Sequence, residues 1–321
     1  MRVLVTGASG FVGNALLRQL AGRTDVQLLA GVRDLNSLPA ESPGEPLVLG
    51  DLARGEIDPH VLAGVGVVVH AAARVHVMQE VAAEPLEEFR AVNLHGTLRL
   101  ARAASQAGVA RFIFLSSIKV NGEETAPGCP FTADDIPAPL DPYGVSKLEA
   151  EQALLELAQA SGMQVVIIRP PLIYGPGVRA NFRSMLRWLN AGVPLPLGGI
   201  NNRRSLVALP NLLDLLSVCL KHPAAANQVF LVSDGEDLST SELLRRLAFA
   251  LHKPSRLLPV PQGALRLMAV LLGKGALGRR LCGSLQVSID KTTARLGWVP
   301  LLSCNEALKQ TALSFLEQES K

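Results

Sequence analysis

Cysteine, charge of a single sign and long apolar runs are all scarce in this 321-residue chain, and each shortage removes a class of protein. The four cysteines, Cys129, Cys219, Cys282 and Cys304, form no Cys-x-x-Cys pair, which excludes a disulfide framework and a zinc knuckle; they read as reduced packing residues. The six histidines lack metal-site spacing with cysteines or carboxylates, so no metal is expected. With 31 Lys and Arg against 28 Asp and Glu the net charge is +3, and only 18% of residues are charged. No single-sign field is strong enough to recruit a polyanion, so nucleic acid is not an expected partner. The most apolar late stretch, residues 264–273 (ALRLMAVLLG), is too short to span a bilayer and carries Arg266. It reads as a packed or partner-facing helix, and no transmembrane segment is expected. The opening residues, MRVLVTGASG, run straight into a strand without the apolar region of a signal peptide, which points to the cytoplasm.

What is present suits a large folded core. Hydrophobic residues reach 48%, and 28 Gly and 21 Pro without a fixed period punctuate many short elements. Periodicity places strands at residues 2–6, 26–32, 47–49, 65–70, 111–116 and 165–169, and helices at residues 11–21, 85–107 and 143–160. Uncharged, β-branched strands alternating with helices predict an α/β fold, a doubly wound parallel sheet covered on both faces, with ligands at the carboxyl ends of its strands. After residue 170 the rhythm breaks at Pro-Pro, Gly175-Pro176-Gly177 and VPLPLGG. The expected division is a dinucleotide-binding core over residues 1–170, rejoined by residues 206–235 through a strand at 229–232. Residues 171–205 and 236–321 would form a smaller, mostly helical lobe holding substrate, with a helix at 181–190 and a Ser239/Glu242 capping box opening another.

Thr6-Gly7-Ala8-Ser9-Gly10-Phe11-Val12-Gly13 follows the first strand and opens the first helix, the context a dinucleotide fingerprint requires. Gly7 permits the tight turn, Gly10 lets backbone amides approach a pyrophosphate, and Gly13 allows close packing of helix on strand. At the end of the second strand Val32 is followed by Arg33, a cation suited to a 2′-phosphate, so NADP(H) is preferred; Asp34, one position late for a ribose hydroxyl, keeps NAD(H) open. Asp51, in the Leu-Gly-Asp-Leu turn, is either an acceptor for the adenine amino group or a helix cap.

In Tyr143-Gly144-Val145-Ser146-Lys147 the i, i+4 spacing puts a phenol and an ammonium on one helix face. An adjacent ammonium is expected to stabilise the phenolate and lower its pKa toward the working range. Ser117, closing the preceding strand, is placed to hydrogen-bond the same substrate oxygen. Arg74 and His76, after the fourth strand, either reach substrate or serve as a loop charge or cap. Lys119 either approaches the substrate or pairs with Glu123 or Glu124.

The motifs TGASGFVG, GDL at residues 50–52, HAAA at 70–73, Asn93 in AVNLHGT, LSS at 115–117, YGVSK, RPPLIYGPG at 169–177 and RLGW at 295–298 span nearly the whole chain. Together they resemble the extended short-chain dehydrogenase/reductase superfamily, with its Rossmann core, and within it the nucleotide-sugar epimerases and reductases related to UDP-galactose 4-epimerase. The resemblance implies Tyr143 as acid/base, Lys147 as the residue that binds nicotinamide ribose and tunes Tyr143, and Ser117 as hydroxyl donor. It implies a cofactor-facing set of Gly7, Ser9, Gly10, Phe11, Val12, Gly13, Arg33, Asp51, Leu52, Ala71, Ala72, Ala73, Asn93, Pro170 and Leu172, with Tyr174 alongside. The implied substrate-facing set is Arg74, Lys119, Asn181, Leu197, Arg204 and Arg280 beside Ser117. A homodimer through the helices at 85–107 and 143–160 also follows from the resemblance.

Three departures bear on the reaction. Ile118 and Lys119 replace the carboxylate pair of sugar-nucleotide 4,6-dehydratases, Asn121 stands where the epimerases usually have Tyr, and Pro170-Pro171-Leu172 replaces their Tyr-Phe-Asn. The strings ARVHVM, SSIKVNGE and CGSL resemble a subgroup that includes 4-reductases of UDP-4-keto-6-deoxy-N-acetylhexosamines in bacterial O-antigen synthesis. The reading this favours is NADPH-dependent reduction of the C4 ketone of such a sugar to a UDP-6-deoxyhexosamine for surface polysaccharide. The alternatives are a UDP-sugar 4-epimerase with tightly bound NAD, and a non-catalytic NAD(P)-binding sensor or scaffold.

Overall fold

The computed structural model describes residues 1–39, 41–75, 84–126, 128–273 and 275–320, without the side chains of residues 276 and 277. Six strands come first: β1 (Arg2–Thr6), β2 (Gln27–Val32), β3 (Glu45–Val48), β4 (Val67–His70), β5 (Arg111–Leu115) and β6 (Gln164–Arg169). The chain then makes β7 (Leu172–Tyr174) and β8 (Arg204–Ala208), returns as β9 (Gln228–Leu231) and adds the short β10 (Asp237–Leu238). The main sheet has the order β3-β2-β1-β4-β5-β6-β9 and every pairing in it is parallel. Strand order therefore reverses between β1 and β4, and a crevice for ligand opens outside their carboxyl ends.

The strands carry apolar residues on both faces because helices cover both. Val3, Val5, Val67, Val69, Ile113, Val166 and Ile168 pack on one side against α1 (Phe11–Leu20) and, later in the chain, Leu212 and Leu216. Their neighbours Leu4, Val68, Phe112, Phe114, Val165 and Ile167 point the other way. There they meet the helices that follow α2 (Pro85–Arg90): Leu100 and Ala104 of α3 (Thr97–Gln106), and Ala150 and Leu154 of α4 (Pro142–Ser161). The period-two alternation is thus satisfied twice, once per face.

The expected parallel sheet is present, with differences in detail. The third strand runs from Glu45, two residues before the expected start, since its register is set by pairing with β2. The helix expected over 85–107 is interrupted by a π-helical turn at Ala91–Gly96, whose consequence lies in the site below. Past residue 170 the chain does not merely leave the sheet: β10, β8 and β7 form a second, three-stranded sheet. It packs in a separate core with α5 (Ala180–Asn190), followed in the chain by α6 (Leu209–Cys219) on the main sheet, and then with α7 (Thr240–Ala250). Only half of the Ser239 box forms. Ser239 accepts from the Glu242 amide, but the Glu242 carboxylate is drawn to Arg246 one turn on, at 2.9 Å.

The chain closes with α8 (Gln262–Leu271), α9 (Gly275–Cys282), α10 (Asp290–Leu296) and α11 (Cys304–Glu319), the last opened by a complete Ser303/Glu306 capping box. None of the α8 residues is buried, so of the two expectations for residues 264–273 the packed helix is not met and the partner-facing one stays open. Among the described residues, no helix is long and apolar enough to cross a membrane.

Packing at the first turn is tight enough to test. A Cβ on Gly13 would stand 2.2 Å from the Gly7 carbonyl oxygen, whereas one on Gly22 meets nothing within 4 Å. Gly13→Ala is expected to cost about 2 kcal/mol and Gly22→Ala essentially nothing, read as urea unfolding midpoints of the two variants against the parent.

Candidate active site

The first component is a backbone cradle. Gly7 adopts φ +68° and lies so close to the loop after β4 that a Cβ would meet the Ala72 nitrogen at 2.8 Å and the Ala71 carbonyl carbon at 2.9 Å. The Gly10 amide closes the turn on the Gly7 carbonyl at 2.8 Å. Gly10 is also the N-cap of α1, where no side chain caps the amides and no acidic residue sits in the first turn. The amides at Phe11 and Val12 are therefore open to an anion, and the helix dipole favours one. Ser9 and Gly10 are exposed, Val12 and Gly13 buried. A cavity of about 460 Å³ begins at Ser9, Gly10 and Phe11 and reaches Gly177 and Arg179. These residues fit a dinucleotide pyrophosphate: backbone amides open onto the cavity, and among the described residues no carboxylate lines it.

At the ends of β2 and β3, Val32 is buried while Arg33 and Asp34 are exposed. Arg33 makes no hydrogen bond or ion pair with another described residue, which leaves a whole guanidinium for a ligand. Asp51 accepts from the Ala53 amide at 3.0 Å within a turn that no helix directly follows, so it is not the helix cap of the two alternatives. The Leu52 carbonyl is held by the Arg99 guanidinium.

The loop after β4 is held from two sides. The Ala72 amide donates to Thr6 Oγ1 at 3.3 Å, and Thr6 is bonded to His70, which is bonded in turn to Thr97. Burial, with the Lys147 charge nearby, brings His70 down to about 3, so this ring is a neutral strut. Asn93, on the π-helical turn and fully buried, accepts from the Arg74 amide at 2.9 Å, donates to the Arg74 carbonyl at 3.1 Å and donates to Ser146 at 3.0 Å. Asn93 thereby fastens the Ala71, Ala72 and Ala73 loop to the helix that carries Tyr143. His76 lies outside the described residues.

Ser117, Tyr143 and Lys147 converge where β5 meets α4. Ser117 caps the short helical turn Ile118–Val120, accepting from the Lys119 amide at 3.3 Å, and its hydroxyl lies beside the Tyr143 phenol. A Cβ on Gly144 would stand 2.8 Å from the Lys119 carbonyl, so the glycine after Tyr143 lets this loop lie on the first turn of α4. The Tyr143 ring meets Phe89 edge-on at 5.9 Å, and the Arg74 guanidinium covers the other ring at 5.7 Å. Lys147 is buried, donates to the Leu115 carbonyl at 2.9 Å and sits 4.4 Å from the centre of the Phe114 ring.

The expected lowering of the Tyr143 pKa is not found. Burial pushes the phenol up to about 12, the Ser117 hydrogen bond pulls partly back, and the Asp141 carboxylate pushes it up again. Burial also brings Lys147 down to about 7, with Glu151 opposing. The Lys147 charge is directed at the Leu115 carbonyl and the Phe114 face, and desolvation of the phenolate outweighs it. Tyr143 is therefore a protonated donor at neutral pH, and Lys147 sits close to its own midpoint there.

Two ion pairs frame this centre. Lys119 pairs with Asp141, the N-cap of α4, and lies 3.5 Å from Glu123; Glu124 is not its partner. Asp141 also accepts from the Gly144 amide at 2.7 Å, so one carboxylate joins the Ser117 loop to the Tyr143 helix. Deeper, Arg169 grips Glu151 at 2.6 Å and donates to Asn121 at 2.9 Å, while Ser116 donates to Glu151. Asn121 is thus spent on holding this network rather than on the site surface.

The other substrate-facing expectations divide. Arg204 donates to the Arg280 carbonyl at 3.0 Å, which brings those two positions together. Asn181 is exposed at the start of α5, and the half-buried Leu197 packs by the second core with its carbonyl bonded to Ser241. Pro170 is buried, with its carbonyl taking the Ile118 amide at 3.0 Å, and Leu172 is exposed. Tyr174 is a correction: its ring is fully buried on Phe182 and its hydroxyl donates to Asp234 at 2.7 Å, so it is a pillar of the second core. Asp141, Phe89 and Ser146 were not anticipated. Asp141-Pro142 is a helix-start signature readable in sequence, whereas the Phe89–Tyr143 and Asn93–Ser146 contacts join positions 54 and 53 residues apart.

A dinucleotide cradle and a Ser-Tyr-Lys centre on one sheet edge define an extended short-chain dehydrogenase/reductase. Residues 3–233 match the model of the NAD dependent epimerase/dehydratase family, and the chain belongs to that family. It is 49% identical over 320 residues to the UDP-glucose 4-epimerase of Vibrio cholerae, covering 99% of this chain and 97% of that one. The structure of UDP-glucuronic acid 4-epimerase from Bacillus cereus in complex with NAD shares the fold, with a TM-score of 0.80, 20% identity and full coverage of both chains. RMD from Pseudomonas aeruginosa complexed with NADPH gives a TM-score of 0.74 and 25% identity over 98% of this chain and 99% of that one.

Asp141→Asn removes the carboxylate that opposes phenolate formation, so the ionisation of Tyr143 is expected to move to lower pH by about one pH unit. Ultraviolet difference spectroscopy reads this cleanly, because the chain has two tyrosines and Tyr174 is pushed much higher by burial and Asp234.

Proposed function

We propose that this protein is a UDP-sugar 4-epimerase that works through Ser117, Tyr143 and Lys147 with a nicotinamide dinucleotide held over the Gly7–Gly13 turn. The observation that carries the reading is the convergence of the Ser117 and Tyr143 hydroxyls beside buried Lys147, on the edge that also bears the cradle. Its support from outside the chain is the likeness to a UDP-glucose 4-epimerase over nearly the full length of both proteins. This reverses the order favoured from sequence motifs alone, where a 4-ketosugar reductase stood first.

A bound nicotinamide would supply hydride acceptance and hydride donation at the C4 carbon of the sugar. The protein's share is the proton. Burial leaves Tyr143 protonated, and the positive charge of a bound oxidised nicotinamide would favour its phenolate; in the oxidative half that Oη takes the proton of the C4 hydroxyl, and in the reductive half the same atom returns it to the C4 oxygen. Ser117 hydrogen-bonds that oxygen in both directions, and Lys147 in its charged form supports the phenolate. Asn93 holds the cofactor-facing loop and the Tyr143 helix at a fixed separation. The second sheet with α5, α7 and α11 is the substrate lobe in this reading, and Arg204 and Arg280 are its diphosphate contacts.

One observation favours the reductase reading: Arg33 stands exposed and, among the described residues, unpaired at the end of β2, as a 2′-phosphate requires. Incubation with UDP-glucose or UDP-N-acetylglucosamine and no added cofactor separates the two. Epimerisation yields the galacto isomer with no net redox change, and Tyr143→Phe is expected to slow it by about 10²–10⁴-fold. No isomer, with NADPH consumed only in the presence of a 4-ketosugar, would instead establish the reductase. Arg33→Ala is expected to weaken NADPH binding by about tenfold and leave NADH unchanged; equal affinities before and after substitution would remove the NADP(H) preference.

A further inference from the structure

The α8–α9 hairpin carries a feature that the proposed reaction does not use. Leu267, Val270 and Leu271 fall on one face of α8 at i, i+3, i+4 spacing and are 61%, 66% and 76% exposed; Leu272, just past the helix, is 72% exposed. Met268 adds to the same surface. The opposite side of α8, with Leu265 and Ala269 half-buried, packs on α9. The hairpin is firmly held at its base: Gln262 donates to the Cys282 carbonyl at 2.8 Å, Thr240 to the Leu281 carbonyl at 2.7 Å, and Asn202 to the Gly283 carbonyl at 2.7 Å. An anchored helix thus presents its apolar face outward. Contiguous patches of this kind mark surfaces that something covers.

Charge identifies the covering surface. The chain as a whole is nearly balanced, yet residues 251–289 contain six Lys and Arg (Lys253, Arg256, Arg266, Lys274, Arg279, Arg280) and no Asp or Glu. Arg266 and Arg279 are exposed on the two helices. A second copy of the chain, docked through this patch about a two-fold axis, would set these cations against themselves. An anionic lipid surface takes both components, with the apolar side chains entering the boundary between headgroups and acyl chains and the cations meeting lipid phosphates. At 10 residues α8 is about 15 Å long, which suits lying in that boundary and not crossing it.

We propose that α8 and α9 form an interfacial helical hairpin that docks this protein reversibly on anionic phospholipid membranes. The proposal is independent of which C4 reaction the site performs. Its test is co-sedimentation of the full chain with vesicles of phosphatidylglycerol and phosphatidylethanolamine, and separately with phosphatidylcholine alone. Binding to the first and not the second, weakened by added salt, is expected. Leu267→Glu/Leu271→Glu should reduce it by more than about tenfold, and Arg279→Glu by about fivefold. Both variants should turn over soluble substrate at the parental rate, which verifies their folding. Absence of binding, equal binding to both vesicle types, or binding untouched by either variant overturns the proposal. A lipid-free dimer that the double leucine variant dissociates overturns it equally, by giving the face to a second copy.

Discussion

The meeting of two backbones at the centre of the sheet is the constraint on which the rest depends. The turn after β1 and the loop after β4 approach so closely at Gly7 and Ala72 that no side chain fits between them. Because Gly13 simultaneously lies on the Gly7 carbonyl, α1 starts low on the sheet with its open amides aimed across the crevice. The crevice is where the strand order reverses, so the ends of β2 and β3 fall on one side of the turn and those of β4 and β5 on the other. Arg33 and Asp51 are thereby distributed to one side, and the Asn93 clamp and the Ser117–Tyr143 pair to the other.

Chemistry at the second side is governed more by burial than by pairing. Tyr143 and Lys147 are both driven toward their neutral forms by loss of water, one up to about 12 and the other down to about 7. Desolvation penalises each charged form by itself, whereas the attraction between them operates only when both are charged. The surrounding ions are arranged around that condition. Arg169 neutralises Glu151 beneath Lys147, and Lys119 neutralises Asp141 at the start of the helix. What remains at the surface is a pair of hydroxyls able to share one oxygen of a ligand.

The outer lobe shows a different balance. Its second sheet and helices have their own core around Tyr174, Phe182 and Leu244, while Ile173 and Val207 of the same sheet pack into the core of the main sheet. The exposed apolar face of α8 stands apart from that core: it is neither filled by the protein nor diluted with acidic residues.

Much of this was legible in the sequence because it is local. The strand-turn-helix spacing of the three glycines, the β-branched strands and the Tyr-Lys interval each concern fewer than ten consecutive residues, and backbone geometry acts over that range. The sequence by itself determined the parallel sheet, the cradle and the identities of Ser117, Tyr143 and Lys147 as the groups to examine. Only the tertiary structure decided the protonation of Tyr143, the commitment of Lys119 to Asp141, the removal of Tyr174 into a core, the clamp from Asn93 to Ser146 and the second sheet. Each of these joins positions many residues apart or depends on how much water is excluded, and neither distance nor dielectric is written in the order of the residues.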